Sequence, residues 1–233
     1  NVDSLMTRRV EDERRKQELE YRMLQNEVNP HFIYNTLNSI RWMATIQHAP
    51  GIAEMVTAFA RLTKSISKGT QKLVPLQEEL ALLNDYFTIQ QYRYGGDLEI
   101  EVSRIESETL CRDCMIPRFT LQPLVENAIY HGIKVKQQGG TVRIESLLEE
   151  DRLLITVEDD GVGMTPEQLA TILEKKEADG ESSKIGVCNV NERLQLFFGS
   201  EAVMKYYSEP GKRTMVMLVL PIVWEKGDAD AEA

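Results

Sequence analysis

The spacing of apolar residues changes near residue 70, and this change divides the chain into two parts with different folds. Between residues 3 and 48, a sequence rich in Glu, Arg, Lys, Leu and Gln predicts one long helix, interrupted only by Pro30. After a turn at residues 49–51, apolar residues recur at spacings of three and four over residues 52–68, which predicts a second helix. The two helices predict a hairpin over residues 1–70. Because this hairpin cannot cover its own apolar faces, we expect a homodimer that closes a four-helix bundle.

Beyond residue 70 the pattern indicates an α+β domain. Residues 69–75 are predicted to form a linker or hinge, because Lys68-Gly69-Thr70 ends the helical pattern. The predicted helices cover residues 76–93, 117–131 and 187–198, and the predicted strands cover residues 98–105, 141–148, 151–159, 202–208 and 213–221. We therefore expect a mixed sheet with helices on one face over residues 71–224, followed by a disordered acidic tail over residues 225–233.

The overall composition excludes several classes of protein. A formal charge of −10 and the lack of a basic stripe argue against a nucleic-acid-binding surface. The CxxC pair of Cys111 and Cys114 is interpreted as structural, because no second pair follows that would complete a zinc site. No run of about 18 apolar residues occurs, so we expect a soluble fragment. Because the sequence begins inside a charged helical pattern, we also expect a longer protein with its sensor or membrane part upstream.

One predicted strand ends in Asp159 and runs into a turn that contains Gly161 and Gly163. A carboxylate at a strand end can accept a hydrogen bond from an exocyclic amine such as that of adenine, and glycine lets the backbone approach a ligand closely. The same DxGxG pattern is also common in ordinary turns. By itself it therefore leaves both a nucleotide site and a simple turn open.

A predicted helix upstream places Asn127, Tyr130 and His131 on a face away from its apolar residues. The amide oxygen of Asn127 suits Mg²⁺, which prefers oxygen ligands, although an exposed asparagine on an amphipathic helix has the same pattern. His131 lies close to the predicted helix end at Gly132, where an interaction with the helix dipole is the favoured role. We keep His131 as a candidate contact of the cofactor.

The segment from Lys184 to Val190 opens another predicted helix, and the free N–H groups of a helix start form a natural phosphate site. Lys184, Gly186 and Asn189 are its candidate ligand contacts. Upstream, residues 165–168 (TPEQ) have the form of a capping box with proline at the first helical position. The polar, glycine-containing residues that follow suit a mobile lid over a nucleotide.

Several motifs together resemble a known family. The order VENA, DDGVGM and IGVCNVNERL resembles the nucleotide-binding boxes of the GHKL superfamily, and the segment NPHFIYNTLN resembles the phosphoacceptor box of LytS/YesM-like sensor histidine kinases. LQPLVENAIYHG is also typical of these kinases, and the resemblance covers nearly the whole chain, from about Gln25 to Pro221. It implies a Bergerat-fold α/β sandwich that binds ATP under a flexible lid.

The resemblance also implies roles for individual residues. It implies that Asn127 binds Mg²⁺ and that Asp159 binds the adenine amine of ATP, in a pocket lined by Gly161, Gly163 and Gly186. The implied activity is ATP-dependent autophosphorylation of His31, followed by phosphotransfer to an aspartate of a response-regulator receiver domain in two-component signal transduction. The implied location is the cytoplasmic side of the bacterial membrane, with a membrane anchor upstream.

The chemistry of His31 supports its assignment as the phosphoacceptor. If the apolar residues of its helix face the bundle core, His31 and Asn35 project to another side, and the imidazole is accessible. Pro30 removes a backbone donor next to it and could bend the helix there. A neutral imidazole is a competent nucleophile near neutral pH. Glu27, one turn before, is the candidate base, and Asn35, one turn after, is a candidate contact of the transferred phosphoryl group.

Two other functions stay open beside an ATP:protein-histidine phosphotransferase. A GHKL ATPase whose nucleotide cycle drives a conformational change would leave the NPHFIYN box unexplained. A dimerising scaffold without catalytic activity is favoured by Lys184, because the glycine-rich box of the family usually has glycine at that position. Lysine there adds a Cβ that would strain a tight glycine turn, but it also adds a charge that could meet phosphate.

Overall fold

The structure of the protein is a computed structural model that describes residues 30–67, 73–94, 98–104, 108–136, 139–172 and 182–224. The chain divides into two compact units, Asn1–Ser67 and Lys68–Ala233, which we call the helical unit and the α/β unit. The predicted acidic tail and most of the first predicted helix lie outside the described residues. Within the described part, no helix is both long enough and apolar enough to cross a membrane.

In the described part of the helical unit, two helices contact each other, α1 (Pro30–Ile46) and α2 (Pro50–Ser67). His48 has a left-handed backbone (φ 54°) at the end of α1. Its N–H donates to Thr45 O at 3.2 Å, and the N–H of Ala49 donates to Ala44 O at 2.9 Å. This pair of bonds is a Schellman motif, which satisfies the last carbonyls of a helix. The chain can then start α2 at once, because proline is well tolerated at the first helical position.

The apolar stripe predicted for α2 is only partly buried. Val56 and Leu62 are buried, whereas Ile52 and Phe59 are each 49% exposed. On α1, Ala44 is buried, whereas Ile40 is 40% exposed. Much of the apolar surface of this unit is therefore not covered by the described residues.

The α/β unit contains a mixed five-stranded sheet, as predicted. Its strands are β2 (Leu98–Arg104), β4 (Gly140–Glu149), β5 (Arg152–Asp159), β6 (Val203–Glu209) and β7 (Arg213–Pro221), in the order β2-β4-β5-β7-β6. Only β2 and β4 pair in parallel, and the other neighbours are antiparallel. Residues of β5 alternate strictly between buried and half-buried, which is the expected pattern for a central strand with one face on the core.

Two short strands lie outside this sheet. β1 (Leu73–Pro75) pairs antiparallel with β3 (Met115–Pro117). The prediction of a linker through residue 75 is therefore wrong at its end. A three-residue strand next to a proline has too little periodicity to be recognised in the sequence.

The helices of the α/β unit differ from the predicted ones at their ends, and the short helix of residues 108–113 was not predicted. The predicted helix start at residue 117 is wrong, because residues 115–117 form β3 and the helix begins at Leu121. They are α3 (Leu76–Tyr94), α4 (Glu108–Asp113), α5 (Leu121–Asn127), a π-helix (Ala128–Ile133), α6 (Lys134–Lys136), α7 (Pro166–Thr171), α8 (Ser182–Phe198) and a 3₁₀-helix (Gly199–Glu201). The π-helix continues α5 without a break and contacts β4, β5 and β7. The predicted helix end at Gly132 is therefore wrong, because the chain stays helical to Lys136.

Candidate functional site

Asp159 is the last residue of β5, and its side chain is only 4% exposed. Its Oδ1 accepts a hydrogen bond from the N–H of Gly161 at 3.0 Å. Burial raises the pKa of the Asp159 carboxyl to about 7, with smaller contributions from the neighbouring charges of Asp160 and Glu158. Burial destabilises the ionised carboxylate, and a hydrogen bond donated by a ligand can offset part of this desolvation cost.

Two glycines leave the space that the Asp159 carboxylate occupies. A Cβ on Gly132, in the π-helix, would overlap this carboxylate, and a Cβ on Gly161 would overlap the backbone of Gly132. The N–H of Val162 also donates to Gly132 O at 3.2 Å. The end of β5 and the π-helix therefore approach each other more closely than any other residue type would allow.

The glycine turn after β5 is anchored to the hairpin of β6 and β7. Gly163 has a left-handed backbone (φ 64°), and a Cβ at this position would overlap the carbonyl of Glu209. The N–H of Gly211 donates to Val162 O at 2.6 Å, and the N–H of Met164 donates to Ser208 Oγ at 2.8 Å. Gly163 is thus needed for the shape of this turn.

Asp160 has a different environment from Asp159, although the two are adjacent. Its side chain is exposed, and its Oδ1 accepts the N–H of Thr141 at 2.9 Å. The Lys136 ammonium donates to Asp160 O at 3.0 Å and lies 3.6 Å from Oδ2. Asp160 therefore ties the turn to β4 and α6, while Asp159 faces inward.

The candidate residues of the predicted Asn127 helix lie at the junction of two helix types. Asn127 is the half-buried last residue of α5, and His131 is an exposed residue of the π-helix. The hydroxyl of Tyr130 accepts a hydrogen bond from Arg93 Nη1 at 3.0 Å, and Lys134 Nζ lies 5.5 Å from the centre of its ring. Single π turns inside helices are frequent at functional sites. The sequence carried only one signal for it, an isolated glycine, Gly132, inside a helical pattern.

The residues expected at the start of a phosphate-binding helix lie further inside it. α8 begins at Ser182, so Lys184 lies in its first turn and Gly186 and Asn189 follow within the helix. The predicted start near residue 187 is therefore wrong, because the polar residues before it continue the helix. A helical backbone at Lys184 imposes no strain on lysine, in contrast to the expected glycine turn. A Cβ on Gly186 would make only an ordinary contact with Pro123, at 3.6 Å.

The start of the predicted lid is confirmed as a capped helix. Thr165 Oγ1 accepts the N–H of Gln168 at 3.4 Å, and Gln168 Oε1 accepts the N–H of Thr165 at 2.9 Å. This is the reciprocal capping box, with Pro166 as the first residue of α7. Residues 173–181, the remainder of the predicted lid, lie outside the described residues.

The helical unit contains the candidate phosphoacceptor. His31 is the second residue of α1, directly after Pro30, and its backbone is helical. Asn35 lies one turn further along α1 and is exposed. Glu27, the candidate base, lies outside the described residues, as does the predicted bend before Pro30.

These residues fit an adenine nucleotide. Asp159 supplies a buried acceptor at a strand end, packed against glycine backbone, and an acceptor is what an exocyclic amine requires. For a metal ion, the described residues hold no group of three or more His, Cys, Asp or Glu side chains. Mg²⁺ at nucleotide sites commonly binds through one or two protein ligands together with phosphate oxygens and water.

Two family models match the chain, one after the other. A family model described as histidine kinase matches residues 19–98. A second model, described as histidine kinase-, DNA gyrase B- and HSP90-like ATPase, matches residues 116–223. The second match contains Asn127, Asp159 and the glycines around them.

Individual proteins agree with these matches. The chain is 34% identical over 220 residues to the sensor histidine kinase YesM of Bacillus subtilis, a match that covers 94% of this chain and 36% of YesM. It is 31% identical over 212 residues to the Bacillus subtilis protein YwpD, covering 90% of this chain and 72% of YwpD. Among solved structures, the catalytic domain of the histidine kinase ThkA matches 66% of this chain with a TM-score of 0.50 and 11% identity, which shows a shared fold. The chain thus spans about a third of the length of YesM.

Proposed function

The chain belongs to the histidine kinase family, and from this membership we propose that it binds Mg-ATP and transfers the γ-phosphoryl group to His31. The bond between the γ-phosphorus and its bridging oxygen breaks, a phosphorus–nitrogen bond to the imidazole forms, and ADP leaves. The phosphoryl group then passes to an aspartate in the receiver domain of a response regulator. The observation that carries this proposal is the presence of both a phosphoacceptor region and an ATPase region in one chain.

The Asp159 carboxylate accepts the adenine amine in this proposal. Its support is the combination of burial, a raised pKa and the space left by Gly132 and Gly161. Gly163 shapes the same turn, while Lys184, Gly186 and Asn189 contribute from α8 and His131 from the π-helix. Discrimination for adenine follows, because a site built to accept an N–H rejects a base that presents an acceptor instead.

Asn127 provides an amide oxygen for Mg²⁺ in this proposal. When bound, Mg²⁺ neutralises charge on the phosphate oxygens, which is the main requirement of phosphoryl transfer. On the acceptor side, Glu27 takes the proton of the imidazole, and Asn35 orients the phosphoryl group after transfer.

We also propose a division of labour between the two parts of the chain. Residues 1–70 form the dimerising phosphotransfer domain, and residues 71–224 form the catalytic ATP-binding domain. Support for a homodimer comes from the apolar side chains that α1 leaves exposed, such as Trp42 (65%) and Ile46 (68%). Because YesM is longer than this chain, we assign the stimulus and any membrane anchor of the whole protein to parts outside it, with this part on the cytoplasmic side.

Incubation with ATP labelled at its γ-phosphate tests the proposal. We expect label on the protein that is stable to alkali and labile to acid, as a phosphohistidine is. Hydrolysis of ATP without protein label would instead support an ATPase of the GHKL type. If neither the monomer nor the dimer binds Mg-ATP, the result would support a scaffold without catalytic activity.

A further inference from the structure

Glu79 is a buried charged residue that lies outside the proposed nucleotide site. It belongs to the first turn of α3 and is only 1% exposed. Glutamate is almost never fully buried unless it is paired. Burial of Glu79 therefore depends on the groups that pair with its carboxylate.

The carboxylate of Glu79 binds the start of α5. Its Oε1 accepts the N–H of Phe119 at 2.7 Å, and its Oε2 accepts the N–H of Leu121 at 3.1 Å. Thr120 donates its backbone N–H to the same carboxylate. These are donors that a helix start leaves without partners. The side chain of Thr120, at the position of the N-cap, makes no capping bond and donates to Pro117 O at 2.5 Å instead. The carboxylate of Glu79, 42 positions before Leu121, thus replaces the usual local cap.

The turn that Glu79 holds is strained and is tied to α8 as well. Phe119 has a left-handed backbone (φ 60°), which is unfavourable for a residue with a Cβ. The Nη1 of Arg193, in α8, donates to Arg118 O at 2.7 Å. Burial raises the pKa of Glu79, whereas the three backbone donors and the charge of Arg118 oppose that rise. The strained turn persists because its N–H groups have this partner.

The helix that begins at this turn leads directly to the nucleotide site. α5 ends at Asn127, and the π-helix that continues it brings Gly132 against Asp159. On the other side, Glu79 lies one turn after β1, whose partner β3 ends just before the strained turn. The start of α5 is thus bound by a residue of α3.

We propose that Glu79 is a positioning residue for nucleotide binding, which acts by holding the start of α5 and thereby the places of Asn127 and Gly132. This inference rests on the proposed function, since it concerns the same nucleotide site. This role differs from a purely structural one. Loss of a contact that is only structural lowers the stability of the protein but leaves the nucleotide affinity of the folded protein unchanged.

The test compares Glu79→Gln with Glu78→Gln, the same substitution one residue earlier. The carboxylate of Glu78 accepts a hydrogen bond from the side chain of Arg118 (Nη2) at 2.7 Å, whereas that of Glu79 accepts backbone N–H groups of the turn. Binding of a fluorescent ATP analogue with Mg²⁺ and thermal unfolding are measured on each variant. We expect the Kd of Glu79→Gln to rise at least about fivefold, which corresponds to about 1 kcal/mol, while that of Glu78→Gln stays within about twofold.

A lower melting temperature of Glu79→Gln with an unchanged Kd would overturn the inference while leaving the proposed function intact. Wild-type protein that does not bind Mg-ATP would overturn both. If Glu79→Gln does not fold, hydrogen exchange on the wild type decides, because coupling between sites is reciprocal. Mg-ADP should then slow exchange at the amides of Phe119 and Leu121, and unchanged exchange there would contradict the inference.

Discussion

The two units of the molecule treat their apolar residues in opposite ways. In the α/β unit, Ile144 and Leu218 of the sheet are at most 1% exposed, so this unit closes its own core. In the helical unit, Trp42 and Ile46 of α1 are more than 60% exposed. Among the described residues, the α/β unit therefore closes its core within one chain, whereas the helical unit leaves apolar side chains that the proposed dimer would cover.

The same contrast holds for polar chemistry. Among the buried carboxylates that the structure describes in the α/β unit, Asp159 and Glu79 are each held by backbone N–H groups. Such groups are costly unless their partners are in place, so they demand a rigid surrounding. The proposed phosphoacceptor, in contrast, belongs to α1, whose exposed apolar side chains the proposed dimer would cover. Each prediction below tests one side of this contrast.

The largest expected effect is that of His31→Gln. Phosphorylation should fall to background because the nucleophile is lost, whereas the Kd for Mg-ATP should stay within about twofold, or about 0.4 kcal/mol. Labelling with γ-labelled ATP and binding of a fluorescent analogue measure the two quantities. His48→Asn is the matched control, because asparagine tolerates the left-handed backbone of that position. Retained label in His31→Gln would move the acceptor to another residue.

The double substitution Trp42→Glu with Ile46→Glu tests the open surface of the helical unit. These residues are four apart on α1 and share one face. We expect the dimer to weaken by about 100-fold, or about 2.7 kcal/mol, because two charges replace apolar area in the interface. Sedimentation equilibrium measures the change, and Arg41→Glu, at an exposed position of the same helix away from this face, is the control. A dimer of unchanged affinity would mean that this face is covered in another way.

Asp159→Asn tests the closed site of the α/β unit. An amide can present a donor where the adenine amine needs an acceptor, so the affinity for ATP should fall by about 10- to 100-fold, as expected for a lost bond to a charged group. Asp160→Asn changes the adjacent, exposed carboxylate and should alter the affinity by less than about threefold, or about 0.7 kcal/mol. Equal effects of the two substitutions would contradict the assignment of Asp159.

The pKa of Asp159 predicts a pH dependence of nucleotide binding. Because burial raises this pKa to about 7, the carboxyl becomes protonated as the pH falls from 8 to 6 and becomes a weaker acceptor. The Kd of the wild type should rise by up to about tenfold over this range. For a pKa of about 7, the ionised fraction of the carboxyl falls from about nine-tenths at pH 8 to about one-tenth at pH 6. The same titration on Asp159→Asn removes the contributions of the nucleotide itself. A pH dependence that persists unchanged in the variant would assign it to another group.

Stability should depend on the same group with the opposite sign. The folded state binds the proton of Asp159 more tightly than the unfolded state, whose carboxyl has the ordinary pKa of 3.8. Its contribution to the free energy of unfolding is therefore full at low pH and is lost as the pH rises through about 7. The gain in melting temperature of Asp159→Asn over the wild type should accordingly be larger at pH 8 than at pH 5.

The smallest expected effect is that of Lys184→Gly. The substitution removes a charge near the proposed phosphate site and adds the helix cost of glycine, about 1 kcal/mol. We expect the ATP affinity to change by less than about tenfold, or about 1.4 kcal/mol, and phosphorylation of His31 to persist. Ser183→Gly has the same helix cost without the loss of charge and serves as the control. A wild type without activity and a Lys184→Gly variant that gains it would show that the native chain is a scaffold.

The sequence by itself determined the order of the elements and most of their types. The alternation in β5 and the helical spacing in α3 predicted both elements to within about one residue. The capping box of Thr165 and Gln168 was likewise recognised, because its hydrogen bonds join residues only three positions apart. Local patterns report local contacts, so these features could be predicted without the fold. The family resemblance, which rests on longer motifs, identified the histidine kinase family that the comparisons show.

The packing of these elements against each other could not be predicted from local patterns and is seen in the tertiary structure. The π-helix, the start of α8 at Ser182 and the contact of Gly132 with Asp159 were not predicted. The bond from Leu121 to Glu79 joins residues 42 positions apart, and no spacing in the sequence indicates it. The physical reason is that burial and close backbone approach depend on which segments pack together. A carboxylate has a raised pKa or a role as a helix cap only after the fold has removed it from water and placed its donors beside it.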